Sequence, residues 1–250
     1  MALFTDGTPA GLEDLERQES GVQEVAKTEG IDLETKLELG AEETGDEVLD
    51  FLLLRPGQDP KAGVRRRVGV SDVVVSRGLR RWHALHTLGL VYRDAYFSHL
   101  NDRYRPKWEE YRKRARESRE ELLRIGIGLV ARPLARPGKA VVSSGPGSQG
   151  AQLYYVRVAW TGAGGEGAPS AAVAYQTAPG SFLRVEAPEG APAEATGWNV
   201  YVGTTGATFR QNSAPLAMGS VFTLAGAPAN GAPAGDGQQA DVFVSEQGLR

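Results

Sequence analysis

The residues best suited to chemistry are a pair of histidines and a run of bases interleaved with aromatics. His83 and His86 stand three apart, a spacing that on a helix could set two imidazoles on one metal. His99 is the third histidine, and no carboxylate is spaced to complete a facial site. Helix packing or an interface is therefore the expected role of both. Arg103, Arg105, Arg112, Lys113 and Arg116 lie among Tyr104, Trp108 and Tyr111. Bases alternating with aromatics can stack on single-stranded nucleic acid. Trp108 and Tyr111 fall on an apolar helical stripe, however, which sends the rings inward and leaves the bases on the solvent face. That basic surface is expected to face a neighbouring subunit or DNA phosphates.

The remaining candidates for catalysis lack partners. Gly126-Ile127-Gly128 reads as a helix stop, and neither it nor Gly145-Pro146-Gly147 precedes the Lys-Ser/Thr of a phosphate-binding loop. Ser143-Ser144 has no neighbouring base. Glu109-Glu110 and Glu120-Glu121 are expected to pair with Arg and Lys one turn away on an exposed helix. The sequence thus predicts no catalytic residues, no metal site and no cofactor.

Composition sets the frame for these residues. Among 250 residues there is no cysteine, which excludes disulfides, thiolate metal sites and thiol nucleophiles. The longest apolar runs, such as 51–54, fall far short of the roughly 20 residues a membrane helix needs. Residues 1–6 carry no basic region of a secretory leader, so a soluble intracellular product is expected. The net charge of −3 conceals a strong asymmetry. Residues 1–60 hold about 16 acids and about 4 bases, residues 61–120 about 16 bases and about 7 acids, and the remainder is near neutral. Such polarity suits an acidic face meeting a basic one, or a basic surface meeting nucleic acid.

The elements that must position these residues change character near Pro133. Thr8 and Pro9 open a helix that Gly30 ends. Asp32 caps a second, running to Leu54 past a weak point at Gly45. A loop follows at Pro56, Gly57 and Pro60. Asp72 caps a third helix with an inward stripe from Leu79 through Trp82, Leu85 and Tyr92 to Leu100. A break at Arg105-Pro106, near Asn101-Asp102, precedes a fourth helix over 107–125, and the last two form an antiparallel hairpin. After the stiff segment 132–138, short β-type runs at 153–160, 171–176, 182–185, 198–202 and 220–224 predict a small antiparallel sandwich of fibronectin-III or immunoglobulin type. Trp160, Trp198 and Tyr201 are expected to fill its core. The fold is thus helical bundle then β-sandwich: a helical domain over 1–132, a linker with the first strand over 133–150, the sandwich over 151–225 and a flexible tail over 226–250. In that tail Asp241, Val242, Phe243, Val244 and Ser245 alternate like an unpaired strand, able to add to a sheet edge of another protein with Phe243 as anchor.

Several stretches resemble head-to-tail connector (adaptor) proteins of tailed bacteriophages. They are the acidic opening with Ile31-Asp32-Leu33-Glu34, then Trp82-His83-Ala84-Leu85-His86-Thr87-Leu88, Tyr92-Arg93-Asp94-Ala95-Tyr96, and Leu100 through Tyr104 with Lys107, Trp108 and Tyr111. Gly197-Trp198-Asn199-Val200-Tyr201-Val202-Gly203 resembles a strand of fibronectin-III-like domains appended to phage virion proteins. The resemblance implies a non-enzymatic virion protein of the neck, assembled in the host cytoplasm. It implies a homo-oligomeric ring of about twelve subunits, docked on the portal protein and joined to a downstream tail or nozzle protein. Double-stranded DNA would pass through the lumen without sequence recognition, and no membrane is involved. Asp241–Ser245 would dock on the portal, since connectors extend terminal segments onto it. Two alternatives stand beside this: a virion decoration or carbohydrate-binding protein led by the β-domain, and a DNA-packaging accessory protein.

Overall fold

The computed structural model describes residues 1–54, 68–99, 102–246 and 248–249. The loop expected at Pro56, Gly57 and Pro60, Leu100 of the inward stripe and the joint at Asn101 lie outside the described residues. The chain divides into two units. One comprises Gly7–Leu129 with Ala240–Arg250, the other Met1–Asp6 with Val130–Gln239. Helices precede antiparallel sheets, as the sequence predicts. The boundaries differ: the β-unit interrupts the helical unit, which resumes at residue 240.

The helical unit holds α1 (Leu12–Gln18), α2 (Val22–Glu29), α3 (Leu33–Leu54), α4 (Arg77–His99) and α5 (Arg105–Ile125), then strand β1 (Ile127–Leu129). Residues 8–30 form two helices where the sequence suggests one. Gly11 starts α1, its N–H bonded to the Asp14 carboxylate at 3.1 Å, so Thr8 is no cap. Glu19 leaves helical geometry at the end of α1, with φ −148 and ψ 97. Gly30 does end α2, with φ 66 in the left-handed region that favours glycine. Asp32 caps α3 as expected, accepting from the Glu34 N–H at 3.0 Å and the Thr35 hydroxyl at 2.7 Å. The cap of α4 is Ser76, whose Oγ accepts from the Leu79 N–H at 3.2 Å. Asp72 instead closes the turn before it by accepting from the Gly69 N–H at 3.0 Å. Arg105-Pro106 is the first turn of α5 rather than a break, since proline is tolerated where no helical N–H partner exists.

Helix α4 is the axis of this unit, contacted by α1, α2, α3 and α5. It buries Leu79, Trp82, Leu85, Leu88, Val91, Tyr92 and Ala95, which lie all round its surface, as befits a helix with neighbours on every side. Tyr92 stacks on Tyr111 of α5, with ring centroids 5.5 Å apart, and Tyr96 stacks on Trp108 at 5.8 Å. Burying one such side chain contributes about 1.5–3 kcal/mol. The exposed i,i+4 pairs Arg105–Glu109 and Lys113–Glu117 are screened by solvent and contribute little. Apolar burial, then, holds the hairpin.

The β-unit contains β2 (Val142–Pro146), β3 (Gln152–Gly162), β4 (Gly165–Glu166), β5 (Val173–Thr177), β6 (Ser181–Glu186), β7 (Ala195–Gly203), β8 (Phe209–Arg210) and β9 (Val221–Leu224). One sheet has the order β2-β6-β9 and the other β4-β3-β7-β8, with β5 also on β3. Val156, Val158, Trp160, Trp198, Val200 and Val202 of the second sheet meet Leu183, Val185 and Leu224 of the first in one core. Trp160 and Trp198 sit in that core as predicted. Tyr201 does not: it is buried on the opposite face of its sheet. Residues 225–237 are also not a free linker. Arg210 N–H bonds Ala232 O at 2.8 Å, and Gln211 Nε2 bonds Ala229 O at 2.9 Å, so the segment runs along β8. Gln238 ends this strap, fully buried. Its Oε1 accepts from Leu134 N–H at 2.7 Å, its Nε2 donates to Arg132 O at 2.8 Å, and its carbonyl accepts from the Met1 nitrogen at 2.6 Å.

The chain then forms β10 (Val242–Ser245) and β11 (Gly248–Leu249). β10 pairs antiparallel with β1, Ile127 opposite Val244 and Leu129 opposite Val242, and with β11 on its other edge. The strand expected to lie unpaired in a flexible tail is therefore paired within the helical unit. Because Leu129 and Val242 are neighbours, Gly7–Leu129 joined to Ala240–Arg250 through a short turn should fold alone. It should show a helical circular dichroism spectrum and one cooperative melt, with a lower melting temperature when 240–250 is omitted; equal stability without 240–250 would contradict the pairing. Gln238→Ala should cost the β-unit about 1–3 kcal/mol in denaturant unfolding, since it leaves the Leu134 N–H buried without an acceptor.

Candidate functional site

The two histidines of α4 have separate partners and separate roles. His83 is fully buried. Its Nδ1 accepts from the Ala10 N–H at 3.1 Å and its Nε2 lies 2.9 Å from the Leu37 carbonyl, which fixes the Nε2–H tautomer. Gly40 lets α3 approach closely here, for a Cβ on it would stand 2.5 Å from Thr87 Oγ1 and 3.3 Å from His83 Nε2. His86 is partly exposed and its Nε2 lies 2.6 Å from Glu43 Oε2. Among the described residues no three His, Cys, Asp or Glu side chains are grouped to hold a metal ion.

The five bases singled out in the sequence divide in two. Arg103 pairs with Glu29 at 3.0 Å and its guanidinium lies 4.4 Å from the Tyr104 ring centroid. Arg105 pairs with Glu109 at 3.0 Å, and Lys113 lies 3.8 Å from Glu117. Arg112 and Arg116 are exposed and, among the described residues, neither forms an ion pair or hydrogen bond through its side chain. They line a groove of about 480 Å³ with His86, Arg93, Trp108 and Arg119. Glu43 and Glu47 form its α3 wall, where Glu47 already meets Arg119 and Glu43 meets His86. The groove therefore holds more positive than negative charge, and two of its arginines have no partner among the described residues.

The sequence points to acids of the 34–50 region as the complement of the basic surface, but not to their period. Glu34, Glu38, Glu42, Asp46 and Asp50 recur every four residues along α3, all exposed, and none forms an ion pair among the described residues. The i,i+4 period sets such residues as neighbours on a helix surface, so they form a continuous acidic band. It was visible as a period in the sequence but was obscured by Glu43 and Glu47, which alternate with it and are the acids that face the groove.

Two acids instead tie the first helices to the hairpin. Glu19 meets Lys107 and accepts from the Tyr111 hydroxyl at 2.9 Å. Burial opposes its ionisation, but those two bonds prevail and hold its carboxyl below the usual range. Glu29 accepts from Tyr104 at 2.8 Å and Ser98 at 3.2 Å, and the Tyr104 bond leads in lowering its pKa.

Of the expected portal-binding residues, Val244 and Ser245 are buried, Phe243 is 38% exposed, and Asp241 N–H bonds Leu129 O at 2.8 Å. Their backbone is engaged by β1 and β11, so addition of this strand to another sheet would first require its removal from this one. Phe243 lines a second groove, of about 620 Å³, with Ile125 and Arg80. No protein-family model, curated protein or solved structure matches the chain.

Burial pushes the His83 imidazole down from 6.5 to about 4. Between those pH values the unfolded chain binds a proton that the folded chain refuses, so stability must fall as pH drops from about 6.5 to about 4. The loss approaches about 3 kcal/mol. His83→Gln, which can keep one acceptor and one donor, should flatten the slope of unfolding free energy between pH 6.5 and 5. An unchanged slope would remove His83 as its source.

Proposed function

We propose that this chain is a structural, non-enzymatic adaptor of a virus neck, whose helical unit assembles head to tail into a ring around double-stranded DNA. The observation that carries this is the mismatch of charge within one helical unit. Among the described residues the acids of the α3 band have no cation, and Arg112 and Arg116 of the α5 groove have no anion. The groove's own α3 wall is made by Glu43 and Glu47, not by the band. Two complementary patches at different places on one surface generate a heterologous contact, which closes into a ring or runs on as a filament. A ring sums many individually weak contacts. The resemblance to phage connectors supports closure, a portal partner above and a tail or nozzle protein below.

The same arrangement argues against a lumen that grips DNA, because the unpaired arginines are engaged by the next subunit. Docking of Asp241–Ser245 on a portal is not part of this proposal, since those residues are paired in the chain itself.

Arg112→Glu with Arg116→Glu should weaken self-assembly at least tenfold in light scattering while leaving the circular dichroism spectrum unchanged. Adding Glu38→Lys and Glu42→Lys to that chain should restore it, because the reversed patches again match. Negative-stain images of the wild type with a candidate portal should show rings on the portal. Assembly unaffected by the first pair, with DNA binding lost, would replace this proposal with that of a DNA-packaging accessory protein.

A further inference from the structure

The outer face of the five-stranded sheet of the β-unit carries two cations that, among the described residues, have no ion-pair partner. The register places Arg157 of β3 opposite Tyr201 of β7, and Tyr201 opposite Arg210 of β8. Residues directly opposite on neighbouring strands share a face, so the three form one row with the ring in the middle. Val156, Val158, Val200 and Val202 alternate with that row and belong to the core, which sets the row on the other face. Two interstrand spacings, roughly 10 Å, separate the two arginine backbones. Side chains of that length can close such a gap onto one small anion.

Both arginines are half-buried, and the Nε of each is sealed from solvent without a hydrogen-bond partner. Among the described residues neither side chain forms an ion pair or a hydrogen bond. Glu166 is bound to the same row through Tyr201 and Asn199 and forms no ion pair with either arginine. Oε1 accepts from the Tyr201 hydroxyl, and Oε2 accepts from Asn199 Nδ2 at 2.6 Å. Asn199 Oδ1 accepts in turn from Asn212 Nδ2 at 2.7 Å. This chain of bonds holds the ring in place, and burial, followed by the bond to Glu166, raises the hydroxyl's pKa, so Tyr201 stays a neutral phenol. The backbone of Arg210 is fixed as well, its N–H bonded to Ala232 O of the strap. The result is a pair of half-buried guanidinium groups on strands either side of an uncharged, fixed ring. Two partly desolvated like charges are costly when unpaired, and an anion between them recovers that cost through charge-assisted bonds.

We propose that Arg157, Tyr201 and Arg210 form a binding site for a single oxyanion group, a phosphate or a carboxylate, on the outer face of the β-unit. The guanidinium forks present paired N–H donors to the oxygens, which a lysine could not do. Tyr201 supplies the apolar floor and keeps the forks apart. The site is independent of the self-assembly of the helical unit.

Calorimetric titration of the full chain with inorganic phosphate, and separately with acetate, tests this against sodium chloride at matched ionic strength. Saturable binding of phosphate, of acetate or of both is expected, and which arm responds identifies the source of the oxyanion. Arg157→Gln and Arg210→Gln should each weaken it at least tenfold, whereas Arg184→Gln, an exposed change on the other sheet, should not. Arg157→Lys and Arg210→Lys keep the charge and guard against misfolding. They should also weaken binding, with near-ultraviolet circular dichroism of the buried Trp160 and Trp198 unchanged. No saturable binding of either anion, or binding retained in both Gln variants or in both Lys variants, would overturn the proposal.

Discussion

A three-residue ladder between Ile127–Leu129 and Val242–Val244 is the constraint on which the organisation of this chain depends. It makes the helical unit discontinuous in sequence, so everything from Val130 to Gln239 must be accommodated between two adjacent strands. Closing so long a loop would be unfavourable if it were structureless, but the cost grows only slowly with length. Here the insert has its own core, built on Trp160 and Trp198, and its own clamp at Gln238. The ladder itself is short, and Ile127, Leu129 and Val244 are its buried apolar residues. The helical unit is thereby completed by residues 242–244, and the strand that could have served as a tether is consumed in completing it.

Within the helical unit, apolar burial and charge divide the work. Helix α4 is covered by four other helices, and its buried His83 is satisfied internally, through Ala10 and Leu37, whereas the buried Thr87 hydroxyl has no hydrogen-bond partner among the described residues. Glu19 and Glu29 fasten the first helices to the aromatic hairpin through tyrosine hydroxyls and cations. Those networks use part of the charge carried by the acidic opening and the basic middle of the sequence. The remainder, the outer band of α3 and the free arginines of α5, is surplus to the fold of one chain. Surface charge contributes little to stability but much to the choice and steering of partners. That surplus is the physical basis of the proposed assembly.

Much of this was legible in the residues themselves. Asp32 and Gly30 carry local instructions, a side-chain cap and a left-handed turn, and both acted where they stand. Tyr111 declared itself core by its spacing, whereas Trp108, expected beside it, is only half-buried and lines the α5 groove. Other features depended on tertiary partners. Asp72 and Ser76 are both competent caps four residues apart, and the pairing of Val73 with Leu129 leaves the helix to begin after Ser76. Gly126-Ile127-Gly128 reads locally as a stop; only its distant partner at 242–244 makes it a strand. The Gly, Ala and Pro run at 225–237 has a linker's composition, yet its backbone groups bond the edge of β8, which no periodicity announces. Tyr201 alternates with Trp198 and Val202 in a short run, and its outward face is set by a register that the sequence does not display.

The central claim, that the α3 band of one subunit meets the α5 groove of another, is tested most directly by carbodiimide coupling. Equal amounts of ¹⁴N- and ¹⁵N-labelled chains would be mixed, assembled, coupled and analysed by mass spectrometry. Lys113 lies between the two unpaired arginines on α5 and is 78% exposed at its side chain. The account predicts mixed-isotope amide links from Lys113 to Glu38, Glu42 or Asp46, lost when salt screens the contact. Links confined to single-isotope pairs, such as Lys113 to Glu117 within one chain, would contradict it.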